Sequence, residues 1–111
     1  MNIIIVGSGK VGFFLAEQLV KEQHDITIVD LYDETLQKAY DNLDIMTIKG
    51  NGVSPDVLEK AGAANADVVI AATSEDEVNM VCCLTAKKLG AKSVAFPESS
   101  HKSVWNGCAL L

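Results

Sequence analysis

Clustered positive charge is missing from this chain. Its nine Lys/Arg residues are scattered, with only Lys87 and Lys88 adjacent, and fifteen Asp/Glu outweigh them to give a formal net charge of −6. Nucleic acids and anionic membrane surfaces both require grouped Lys/Arg, so neither is expected as the main partner. Long apolar runs are missing too. The longest, around Val68–Thr73 and Val78–Ala86, are core-sized and fall well short of the roughly 18 residues a membrane span needs. No basic stretch precedes an apolar one at the start of the sequence, and strand-like residues begin at position 2, so no secretory signal is read there. The three cysteines, Cys82, Cys83 and Cys108, are odd in number and two are neighbours. They supply neither a disulfide framework nor a CxxC metal or redox motif, and are read as reduced thiols of a cytoplasmic protein. There is no internal repeat of 20–50 residues and no low-complexity tract.

What is present is a buried-sheet pattern. A length of 111 residues allows one domain and one core, and 49% of the residues are hydrophobic. Asn2–Val6 is a continuous β-branched run that stops at a glycine cluster, as a fully buried parallel strand does. Asp25–Asp30, Ile45–Ile48 and Val68–Thr73 repeat the signature, and Ser93–Phe96 is a weaker fifth copy. Helical patterns lie between them. Val11, Leu15 and Leu19 share a face over residues 10–22, and Leu36, Ala39, Tyr40 and Leu43 share one after the second strand. Ser54-Pro55 marks a short helix that stops near Gly62. A last helix runs from about Glu75 to Leu89, with Val78, Cys82, Thr85 and Leu89 on one stripe and Gly90 beyond its end. The other side, with Met80, Cys83 and Leu84, is ordinary packing or a surface that meets a second copy. Alternating strands and helices with short connections predict an α/β, Rossmann-like, doubly wound parallel sheet of order 3-2-1-4-5. From Phe96 onward periodicity is lost. The expectation is one Rossmann-like domain over 1–95, truncated after strand five, and an irregular tail over 96–111 outside the fold.

The chemistry sits at the first strand's end. Gly7-Ser8-Gly9-Lys10-Val11-Gly12 is G-x-G-x-x-G between a buried strand and a helix start. Gly7 permits the tight turn, Gly9 lets backbone approach a diphosphate, and Gly12 allows the helix to lie close to the sheet. The helix N-terminus then offers amides and a positive dipole end to an anion. Asp30 follows Gly7 by 23 positions and Gly12 by 18, bracketing the distance at which an acid reaches the adenosine ribose hydroxyls. A carboxylate there disfavours a 2′-phosphate, so NAD(H) or an adenosine phosphate such as ATP or ADP is expected over NADP. A P-loop is excluded: Val11 stands where that motif needs a magnesium-binding hydroxyl, and Ile5 where it needs its first glycine. Lys10 is either a point charge near phosphate or a solvent-facing helix residue. Two further loops leave the carboxyl ends of strands and line the same crevice. In these, Asn51 is a candidate for the adenine edge or ribose, and Thr73 and Ser74 for the nicotinamide or phosphate side. A turn or cap role is the alternative for each. Glu75-Asp76-Glu77 suits the dipole of the last helix.

These pieces, in order, resemble the TrkA N-terminal (RCK/KTN) family, cytoplasmic nucleotide-binding regulatory domains of bacterial potassium transport. The likeness is carried by IIIVGSGKVGFFLAEQL, HDITIVD, IKGNGVSPDVLEKAGAANADVVIAATSEDEVNM and AKKLGAK, with signature matches at Asp67, Thr73, Asp76, Glu77 and Asn79. The resemblance implies NAD(H) or ATP/ADP binding at Gly7–Val11, Asp30, Asn51 and Thr73-Ser74. It also implies a homodimer or higher oligomer that controls a membrane potassium-translocating subunit without catalysis. The family continues after strand five with arginine-containing residues and a sixth strand, where this chain has Phe96-Pro97-Glu98. The alternatives are a fragment of an NAD-dependent dehydrogenase and a nonfunctional truncated product. Against the first, His24 precedes strand two, at the far end of the sheet from the crevice, and His101 lies in the tail.

Overall fold

The computed structural model describes residues 1–96. The residues expected to form the tail beyond Phe96, with His101 and Cys108, lie outside that range. In chain order the elements are β1 (Asn2–Val6), α1 (Lys10–Lys21), β2 (Asp25–Asp30), α2 (Asp33–Asn42), β3 (Met46–Lys49), α3 (Pro55–Ala61), a 3-10 turn (Ala63–Asn65), β4 (Val68–Ala71), α4 (Asp76–Leu89) and β5 (Ser93–Ala95). All strand pairs are parallel, in the order β3-β2-β1-β4-β5 that the sequence predicts. The register aligns Val6 with Val29 and Ala71, which brings the carboxyl ends of the three central strands to one rim.

Strand alternation divides the core between two faces. Ile3 and Ile5 pack with Ile26, Ile28, Ala16 of α1 and Leu36 and Ala39 of α2. Ile4 and Val6 turn the other way, toward Leu58 of α3 and Cys82, Cys83 and Ala86 of α4. Both faces are covered by helices, which is why these strands read as unbroken apolar runs. The helix ends follow local chemistry. The Ser54 hydroxyl accepts the Val57 amide ahead of α3, while Gly62 and Gly90 end α3 and α4 in the left-handed conformation.

Several expectations are corrected. Val11 is 49% exposed, because α1 turns Gly12 and Ala16 to the sheet and leaves Val11 on the flank. Tyr40 is likewise exposed, since Leu36 and Ala39 fill the space under α2. Of the two readings of the other side of α4, ordinary packing holds for Cys83, which is fully buried with its thiol donating to the Ala95 carbonyl at 3.6 Å, while Met80 and Leu84 stay exposed. β3 begins one residue later than expected, with Ile45 buried in the turn before it. β4 ends at Ala71: the Ala72 amide still donates to the Val6 carbonyl, but the Thr73 amide leaves the ladder for the side chain of Asn79. Phe96, where the tail was expected to begin, is buried against the α4 side of the core.

Candidate functional site

The glycine loop is built by close approach. Gly7 has a φ of +103°, where a side chain is strained, and a Cβ there would lie 2.9 Å from the Ala72 carbonyl oxygen. A Cβ on Gly12 would overlap the carbonyl oxygen of Gly7, so α1 meets the loop with no room for a methyl group. Gly9 differs from both. Nothing lies within 4 Å of the position its Cβ would take, so this residue faces open space at the mouth of the crevice. It is the N-cap of α1 and provides no side-chain cap. The first turn of α1 holds no acid, whereas Asp33 and Glu34 open α2 and Asp76 and Glu77 open α4. The positive end of the α1 dipole is thus left for an external anion, with Lys10 exposed beside it.

Asp30 is bonded to Ser8, the residue before Gly9. Its Oδ2 accepts from both the amide and the hydroxyl of Ser8 at 2.7 Å, and its Oδ1 accepts from the Tyr32 amide at 3.1 Å. Partial burial pushes the carboxyl up. The Ser8 hydroxyl and amide and the Tyr32 and Leu31 amides outweigh it, holding the group below the ordinary carboxylate range. Asp30 is therefore ionised near neutrality and fixed in place. Ser8 is buried, so its hydroxyl serves the carboxylate and is turned away from solvent.

The other two loops have different roles. The Gly50 amide donates to the Asp30 carbonyl at 2.9 Å, which ties the loop after β3 to the same rim. Asn51 spends its Oδ1 on the Val53 amide at 3.0 Å, and its carbonyl accepts the Ser54 amide; the side chain shapes the turn into α3. Thr73 lies against Gly7, with its nitrogen 3.1 Å from the position of the absent Cβ. Ser74 is exposed next to it. The structure thus joins Gly7, Ser8, Gly12 and Asp30 by direct contact, abuts Thr73 to them, and sets Gly9, Lys10, Asn51 and Ser74 on the open rim. A residue left out of the sequence-derived site is Asn79, buried under Thr73 and bonded to it on three atoms. Its signal was only its place in the T-S-E-D-E-V-N run.

A groove of about 680 Å³ opens at the opposite rim among Asn2, His24, Asp25, Asp44 and Asn65. It lies at the amino ends of the strands. Ligands of open parallel sheets bind beyond the carboxyl ends, where loops from adjacent strands diverge. The glycine crevice is accordingly the candidate site. His24 belongs to the far groove, where its Nδ1 lies 3.2 Å from the N-terminal amine.

The model of the TrkA-N domain family matches residues 3–102. The chain belongs to the TrkA-N family. It is 47% identical over 89 residues to a Trk system potassium uptake protein TrkA of Azorhizobium caulinodans, covering 80% of this chain and 19% of that protein. It is 48% identical over 89 residues to the protein of that name in Halomonas elongata, covering 80% and 20%. The TrkA-N chain thus spans about a fifth of the length of these curated relatives. Among solved structures it superposes on the TrkA-N domain of the Escherichia coli inner membrane protein ybaL with a TM-score of 0.79 at 14% identity, over 86% of this chain and 70% of that one. It superposes on a GsuK channel bound to NAD with a TM-score of 0.75 at 22% identity, over 90% and 18%. For the AMP-bound Kef C-terminal domain of Shewanella denitrificans the TM-score is 0.76 at 18% identity, over 92% and 62%. At these identities the structures speak for a shared fold, and the sequence relatives for kinship with one part of proteins named for Trk potassium uptake.

Proposed function

We propose that this domain binds an adenine nucleotide in the crevice between Gly9 and Asp30, with NAD(H) as the foremost ligand and ATP or ADP as the other candidates. The observation that carries the reading is the pairing of an open Gly9 at an acid-free helix start with an ionised, fixed Asp30. The backbone amides of Gly9, Lys10 and Val11 receive the diphosphate there. Asp30 takes the ribose hydroxyls. Gly7 and Gly12 keep loop and helix close, and Ser8 holds the carboxylate. Thr73 and Ser74 border the far half of the ligand, and Asn51 shapes the adenine side of the rim. The names of two fold neighbours, one bound to NAD and one to AMP, support an adenine nucleotide as the class.

Binding is regulatory in this reading, not catalytic. The nucleotide shifts the arrangement of a larger assembly by its differential affinity for two states. That assembly is a homodimer or higher oligomer at the cytoplasmic face of a membrane potassium-translocating subunit. Kinship with Trk system proteins supports this, as does the distance of His24 from the crevice. The nucleotide-binding domain takes in residues 1–95 and also Phe96, whose side chain belongs to its core. Isothermal titration with NADH, NAD, ATP, ADP and NADPH tests the proposal. Saturable one-site binding of at least one of the first four, weakened by Asp30→Ala, is expected. No binding of any of the five by the folded protein overturns it.

A further inference from the structure

Asn79 is a polar side chain only 1% exposed, set on the first turn of α4 among apolar residues. Every bond it makes runs to one residue. Its Oδ1 accepts the Thr73 amide at 3.0 Å and the Thr73 hydroxyl at 2.6 Å, and its Nδ2 donates to the Thr73 carbonyl at 3.1 Å. The amide group thereby occupies both main-chain polar atoms of Thr73, as a neighbouring strand would. The Thr73 hydroxyl, its proton given to Asn79, accepts the Glu75 amide at 3.3 Å. Thr73 in turn abuts Gly7: its nitrogen and the Ala72 carbonyl stand about 3 Å from where a Gly7 Cβ would be. A helix residue with no exposed surface therefore holds one wall of the crevice against the other.

We infer that Asn79 is the positioning residue that fixes the Thr73 wall at the distance the nucleotide requires. The effect on binding rests on the nucleotide reading above. The placement of the wall does not. The reason for asparagine is chemical. Thr73 presents a donor and an acceptor on its backbone, and a planar amide answers both at once. An aspartate of the same shape keeps the acceptor and sets an oxygen against the Thr73 carbonyl. An alanine leaves both backbone groups without a partner in a site closed to water.

The test compares Asn79→Asp with Ala86→Gly, which weakens the same helix two turns away at a buried core position. NADH affinity is measured at a temperature where both variants are folded, alongside unfolding midpoints and amide hydrogen exchange. Asn79→Asp is expected to lower affinity roughly tenfold, the order that follows from one buried backbone group losing its partner. Ala86→Gly lowers the midpoint while its affinity stays within about twofold of wild type. In Asn79→Asp the oxygen set against the Thr73 carbonyl pushes the two groups apart, so the Thr73 amide exchanges faster while Ile5 and Ile28 stay protected; it is unchanged in Ala86→Gly. Equal affinity losses in the two variants, or wild-type affinity and Thr73 exchange in Asn79→Asp, overturn the inference. If the wild-type protein binds no nucleotide, the functional reading fails, and the exchange pattern alone decides whether Asn79 positions the wall.

Discussion

The amide and the hydroxyl of Ser8 converge on a single oxygen of Asp30, each at 2.7 Å, so that the middle of the glycine loop and the end of β2 share one carboxylate. This bond fixes the acid before any ligand arrives. Preorganisation of that kind reduces the ordering a ligand must impose on binding.

A pH dependence follows from it. The folded-state pKa of Asp30 lies below its ordinary value, so the stability its charge contributes is complete above the unfolded-chain value of about 3.9. It is lost as pH falls further, through the folded value. Urea unfolding of wild type and Asp30→Asn at a series of pH values reads this directly. The stability difference between them should hold steady from pH 7 to 5 and shrink below about 4. A difference that stays constant down to pH 3 contradicts it.

Discrimination against a 2′-phosphate is the next consequence. An ionised Asp30 repels that group, and the chain contains no arginine to take it. NADPH should bind at least about tenfold more weakly than NADH, the ratio that 1.4 kcal/mol of repulsion gives. Asp30→Ala should lower NADH affinity and bring the two cofactors within about threefold of each other. Competition titrations measure both, and a chain that prefers NADPH is incompatible with this site.

The glycines separate folding from binding. Gly12→Ala places a methyl group on the Gly7 carbonyl oxygen and should destabilise the domain by about 3 kcal/mol or more. Gly9→Ala meets no protein atom, so its cost should stay below about 1 kcal/mol, the usual size of an N-cap change. The same methyl group projects into the space assigned to the diphosphate, and nucleotide binding should fall more than tenfold, by the steric cost of a backbone approach only glycine permits. Chemical denaturation and titration of the two variants give four numbers. An ordering with Gly9→Ala the less stable, or with its binding intact, contradicts the assignment.

Much of this was legible in the sequence because each signal had a local cause. Ile3–Val6 is β-branched and buried on both faces, and the glycines follow immediately, so β1, the turn and α1 announce themselves. Asp30 could be found because β2 also ends abruptly and its length fixes the spacing. What stayed hidden depends on neighbours. Val11, Leu15 and Leu19 form a proper helical stripe, but Gly12 must face the sheet, and that rotation leaves Val11 outside. Which of Met80, Cys83 and Leu84 enters the core depends on how α3 and the strands cover α4, and they take in Cys83 alone. Thr73 looks like any hydroxyl residue in a loop, since its partner stands six positions away on a helix. The burial of Phe96 has the same origin: a lone aromatic without periodicity gives no hint that the core reaches it.

The central claim is that the nucleotide lies between the start of α1 and Asp30, and NMR titration of the labelled protein with NADH tests it most directly. Saturable shifts should concentrate on the amides of Gly7 through Gly12, Asp30 through Tyr32, and Thr73 and Ser74, with the groove around His24 and Asn65 undisturbed. Shifts centred on that groove, or none at saturating NADH, ATP or ADP, would contradict it.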